Sequence, residues 1–150
     1  MIEDEWIIKK VKYDGTVSIV FTNGDIDAEY SLKCEEKPRP KFIQALKDLR
    51  YHFRAYISNP IKDCDHSKTQ MAIHTINYRY KDGELDKVNF VCAVRNDKAY
   101  EGEMTISGIM TPTRDAYIDK DLETIAHEAN EYIAGHRAQM GLWDGDEHVD

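Results

Sequence analysis

Three groups of side chains in this 150-residue chain have types and spacing that chemistry can use. The first is cationic: Arg39, Lys41, Lys47, Arg50 and Arg54 gather in one short stretch, with His52 among them. A guanidinium fork gives a phosphate two parallel hydrogen bonds, and the start of a helix adds unpaired N–H groups. These five residues are the candidate ligand-binding set for a compact anion; the plainer reading pairs them with nearby carboxylates. The second group is His127-Glu128-Ala129-Asn130-Glu131, which has the first half of the H-E-x-x-H zinc motif but places Glu131 where the second histidine belongs. At four-residue spacing His127 and Glu131 share a helical face, as a hydrogen-bonded surface pair also would. The third is Cys64-Asp65-His66, where a thiol and an imidazole adjoin without the further ligands that zinc requires.

Neither GxxxxGK[ST], GxGxxG nor GxSxG occurs, and nothing selects a catalytic pair among 28 carboxylates. The expectation is a non-enzymatic binding protein with no catalytic residues, no metal and no cofactor.

The elements that position these groups follow from hydrophobic periodicity. Trp6, Ile7, Ile8 and Val11 lead to the turn Tyr13-Asp14-Gly15-Thr16, then Val17, Ile19 and Phe21 alternate with polar neighbours. Asn23-Gly24 signals a two-residue hairpin, and Ile26 to Cys34 alternate strictly as a third strand. Pro38 and Pro40 end the sheet and prepare a helix. Phe42, Leu46, Leu49, Phe53 and Tyr56 form its apolar face, and Asn59-Pro60 stops it. Met71 to Tyr80, the turn Asp82-Gly83, Val88 to Val94, and Tyr100 to Ile106 give three more strands. Asp119 or Asp121 caps a last helix whose stripe is Leu122, Ile125, Ala126, Ala129, Tyr132 and Ile133, ending near Gly135. The fold class is therefore α+β: an antiparallel sheet of about six strands in βββα-βββα order, with two helices on one face.

Length places residues 1–142 in one domain, with 143–150 as an acidic, mobile tail carrying Trp143. The formal charge of −8 disfavours nucleic acid and anionic membranes as partners. Three cysteines without a CxxC, and no apolar run of signal or membrane length, place the protein in the cytoplasm. Cys34 and Cys92 read as small buried hydrophobes. Tyr78, Tyr80, Phe90 and Tyr100 fall in strands, where packing or base stacking would use them. Sheet edges and tyrosine content suit a homo-oligomer.

Glu36-Lys37-Pro38-Arg39-Pro40 with Phe42, Ala45 and Leu46, then Thr111-Pro112, then Gly135-His136-Arg137-Ala138-Gln139, resemble recurring segments of small phage and prophage proteins encoded among replication, recombination and host-takeover genes. The resemblance implies a phage early protein in the host cytoplasm, and it carries no catalytic residue over. Three functions follow as expectations. The first is sequestering a small anionic nucleotide signal of host defence, in a pocket between subunits near Arg50 and Arg54. The second is binding single-stranded DNA as a recombination accessory. The third is docking an acidic surface on a host enzyme.

Overall fold

A computed structural model describes residues 6–23, 28–53, 56, 70–95, 104–111 and 115–137. The strands are β1 (Ile7–Tyr13), β2 (Val17–Thr22), β3 (Tyr30–Cys34), β4 (Gln70–Lys81), β5 (Glu84–Arg95) and β6 (Met104–Met110); the helices are α1 (Pro40–Phe53) and α2 (Ala116–Ile133). The strands form one antiparallel sheet in the order β3-β2-β1-β4-β5-β6, so each half contributes a three-stranded meander, and β1 and β4 join them at the centre. The βββα-βββα order matches the periodicity of the sequence.

Side-chain alternation sends one set of strand residues to the helices. Val17 and Ile19 of β2, Ile76 and Tyr78 of β4, and Val88, Phe90 and Cys92 of β5 are buried there. The register shifts at three places, between Ile8 and Lys10, between Ile73 and Thr75 and between Arg79 and Tyr80; the first lets Ile8 and Val11, three apart, both enter the core. From the helices come Phe42, Ala45, Leu49 and Phe53, and Ile118, Leu122, Ile125, Ala129 and Tyr132. Burying twenty such side chains away from water is the main stabilising term of the fold.

Three local boundaries differ from the sequence expectation. The first concerns the β2–β3 connection. Phe21 pairs with Tyr30 and Val17 with Cys34, a register that a two-residue turn at 23–24 cannot produce. Thr22 Oγ1 instead donates to the Ala28 carbonyl at 2.8 Å, within a longer connection. The second boundary is the start of α2, which neither Asp119 nor Asp121 caps. Asp115 stands in an extended conformation and its Oδ1 accepts from the N–H groups of Tyr117 (2.9 Å) and Ile118 (3.2 Å). Asp119 is already helical, and Asp121 lies on the buried face. The third is Cys34, which is half-buried at the end of β3, whereas Cys92 is buried as expected.

Gly135 closes α2. With φ of 101° it takes the left-handed position, its N–H reaching the Tyr132 carbonyl (3.0 Å) while the His136 N–H reaches that of Glu131 (2.8 Å). That is a Schellman motif, and a side chain at Gly135 would strain it. No helix among the described residues is long and apolar enough to cross a membrane. Cys64-Asp65-His66, Arg54, Tyr100, Pro112 and the tail lie outside the described residues.

Candidate ligand site at the paired helix ends

Helix α1 crosses the sheet from the end of β3 towards β5 and β6. Its N-terminus follows Pro38, and its last residue, Phe53, packs on Phe90 at 4.3 Å between ring centroids. Gly108 of β6 admits that ring: a Cβ there would lie 3.8 Å from Phe53 Cζ. Helix α2 begins beside this end and runs back towards β1, where Asn130 grips the chain at Trp6.

The cationic set does not converge on one point. Arg39 turns inward, its Nε 3.1 Å from Glu128 Oε1 and its Nη2 2.8 Å from Oε2, with Glu131 Oε1 at 3.6 Å. Glu128 is 2% exposed, so this bidentate pair ties the start of α1 to the middle of α2 and Arg39 is occupied. Lys41 is exposed on the first turn, roughly 14 Å along the helix axis from Arg50. Lys47 and Arg50 are exposed one turn apart near the C-terminus, and neither has a carboxylate partner among the described residues. The set thus divides into a structural arginine, an isolated lysine, and the pair Lys47 and Arg50.

The half-motif on α2 divides in the same way. Glu128 and Glu131 both face Arg39, and Glu131 also approaches His136 Nδ1 at 3.4 Å. These carboxylates hold α1 and the helix end.

The last turns of α1 also carry a cluster that only His52 announced in the sequence, on the side of the helix that bears Asp48, while Lys47 and Arg50 lie on the side of Tyr51. His52 Nδ1 is 2.6 Å from Asp121 Oδ2 across the helix pair. An ionised Asp121 makes Nδ1 the donor and leaves Nε2 to address a ligand. Asp121 is 7% exposed; burial pushes its carboxyl up from the usual carboxylate range, and the His52 hydrogen bond and charge pull it back. The imidazole stacks on Tyr117 (5.2 Å, 29° between planes) and meets Tyr51 edge-on (5.5 Å). Tyr56 completes the group, its hydroxyl donating to Asp115 Oδ2 at 2.7 Å. That bond, with the two backbone N–H groups, holds the Asp115 carboxyl below its ordinary range.

Tyr51 and Tyr117 are 71% and 70% exposed, and Tyr56 is 42% exposed. Three aromatic rings left wet around one oriented imidazole are the unusual feature of this surface, because rings of this size normally bury most of their area. The group can offer flat faces for stacking and one imidazole nitrogen for hydrogen bonding; Lys47 and Arg50 stand on the Tyr51 side, and the carboxylates of Asp48, Asp115 and Asp121 stand on the His52 side. Of the strand aromatics, Tyr78 and Phe90 are in the core, the Tyr78 hydroxyl bonding the Leu122 carbonyl at 2.9 Å, whereas Tyr80 is 38% exposed with its hydroxyl on the Ile8 carbonyl at 2.8 Å. A cavity of about 280 Å³ between α2 and the β4–β5 turn is lined by Tyr78, Tyr80, Leu85 and Leu122 with Asp119 and Glu123, whose carboxylates oppose an anion.

Tyr51 and Tyr117 escaped the sequence reading because exposed tyrosines carry no periodic signal. Asp121 had one: it occupies a position of the α2 apolar stripe, between Ile118 and Leu122, and a carboxylate there must find a partner.

No family model matches this chain, and no curated protein or solved structure matches it either. The functional reading therefore rests on the geometry.

Proposed function

We propose that the protein binds a small anionic ligand bearing a flat ring, of the nucleotide class, at the joined ends of α1 and α2, and does so without catalysis. The observation that carries the proposal is the trio Tyr51, Tyr117 and His52, with His52 oriented by Asp121, and with Lys47 one helical turn before Tyr51. Stacking on the exposed rings supplies sequence-tolerant affinity for a base, and the cations supply phosphate pairing. The earlier candidate set contracts to Lys47 and Arg50, with Arg54 next along the chain. If the phage resemblance reflects origin, binding of this kind would sequester a host nucleotide signal. Calorimetry with a panel of linear and cyclic nucleotides, set against inorganic phosphate and a free nucleoside, tests the reading. Heat with nucleotides that falls at least tenfold in affinity for Tyr117→Ala supports it; no heat with any nucleotide refutes it.

A second reading has its own observation. The helices cover one sheet face, and Lys10, Lys12, Lys33, Arg79 and Lys87 alternate with core residues and so project from the other. This face suits phosphates of single-stranded DNA, contacted without base stacking. Oligonucleotide anisotropy that is lost with added salt and weakened by Lys12→Glu would favour it over the first reading.

A further inference from the structure

We infer that β6 is an interface at which a second copy of this chain adds in antiparallel fashion, so that one sheet runs through a two-fold axis. β6 is an edge of the sheet, and its sequence, Met-Thr-Ile-Ser-Gly-Ile-Met, contains no charge and no proline. It pairs with β5 from Val88–Met110 to Val94–Met104 without a register shift, so no bulge twists it aside. Monomeric sheets protect their edges with short strands, lysines, prolines or bulges. The opposite edge does so: β3 has five residues and carries Lys33. Among the described residues β6 uses none of these devices, and it holds Ile109 61% exposed.

The occupant is a second copy because the strand complements itself. Pairing about Ser107 sets Thr105 opposite Ile109 and Ile106 opposite Gly108 of the other chain, polar with apolar and large with absent side chain. Backbone hydrogen bonds supply the affinity, and the alternating side chains fix the register. A consequence bears on ligand binding, and rests on the function proposed above. Phe53 seats the end of α1 over Gly108, so the two-fold draws two copies of the His52 cluster towards one another across the joined edge.

Sedimentation velocity of the ligand-free full-length chain reads this interface independently of any nucleotide. The expected mass is twice the 17.4 kDa of one chain. Thr105→Lys combined with Ile109→Lys, both at exposed positions, is expected to give a monomer with unchanged circular dichroism, whereas Tyr30→Lys on the β3 edge leaves the dimer intact. Ser107→Cys on the axis is expected to cross-link on a non-reducing gel, since directly paired strand residues sit about 4.5–5.5 Å apart, within disulfide reach. Cross-linking no greater than that of the native cysteines, a wild-type mass of one chain at all concentrations, or a dimer that survives the double lysine variant would each overturn the inference. Loss of nucleotide binding with the dimer intact would overturn the proposed function and leave the interface standing.

Discussion

At the residue scale, two carboxylates on the buried side of α2 decide how the helices meet. Glu128 receives Arg39 from 89 residues away and Asp121 receives His52 from 69 residues away. A buried ion pair contributes little net stability relative to apolar residues, yet removing one partner strands the other without water. Arg39→Ala is therefore expected to lower the free energy of unfolding by about 3 kcal/mol, measured by urea denaturation, and Arg39→Ala with Glu128→Leu to regain much of it. Asp115 makes a pH prediction. Its carboxyl is held below the ordinary range in the folded protein, chiefly by the Tyr56 hydroxyl and then by backbone N–H groups. A depressed folded pKa contributes stability that is present above the unfolded value and lost as pH falls through the folded one. The acid side of the melting curve should flatten in Asp115→Asn, which keeps an oxygen for the cap but has no charge to lose. These links were the least legible part of the sequence. Asn130 bonds both backbone groups of Trp6, 124 positions earlier, and no local pattern foretells such a pairing.

At the element scale, the sequence was legible wherever one face of an element is dry. The period-two runs of β2 and β5 and the 3.6-period stripes of both helices emerge where expected, because burial on one side leaves a single phase that works. Boundaries were less legible because capping depends on backbone angles: Asp115, Asp119 and Asp121 are equal as residue types, and only Asp115 is extended. The bulges after Ile8 and Ile73 likewise carry no residue signature. Two glycines separate space from conformation. Gly135→Ala should cost about 1 kcal/mol in thermal or chemical melts, because φ of 101° disfavours a side chain. Gly108→Ala should be close to neutral, since its Cβ meets Phe53 at an ordinary 3.8 Å.

On the scale of the whole molecule, charge is segregated. The strands carry Lys9, Lys10, Lys12, Lys33, Arg79, Lys81, Lys87 and Arg95 against Glu84 and Asp86, while α2 carries five acidic residues and one lysine in a chain of net charge −8. An extended polyanion and a compact nucleotide would therefore choose opposite faces. The acidic α2 flank leaves Lys47 and Arg50, on α1, as the cations of the proposed site. Anion binding at the helix ends should weaken with salt only modestly, because stacking on neutral rings shares the work. The most direct test is a titration of the ¹⁵N-labelled protein with a nucleoside monophosphate, followed by amide chemical shifts. Perturbations centred on Lys47 to Phe53 and on Asp115 to Asp121 are expected. Perturbations centred instead on Lys10, Lys12, Lys33 and Lys87, or none at saturating nucleotide, would contradict the account.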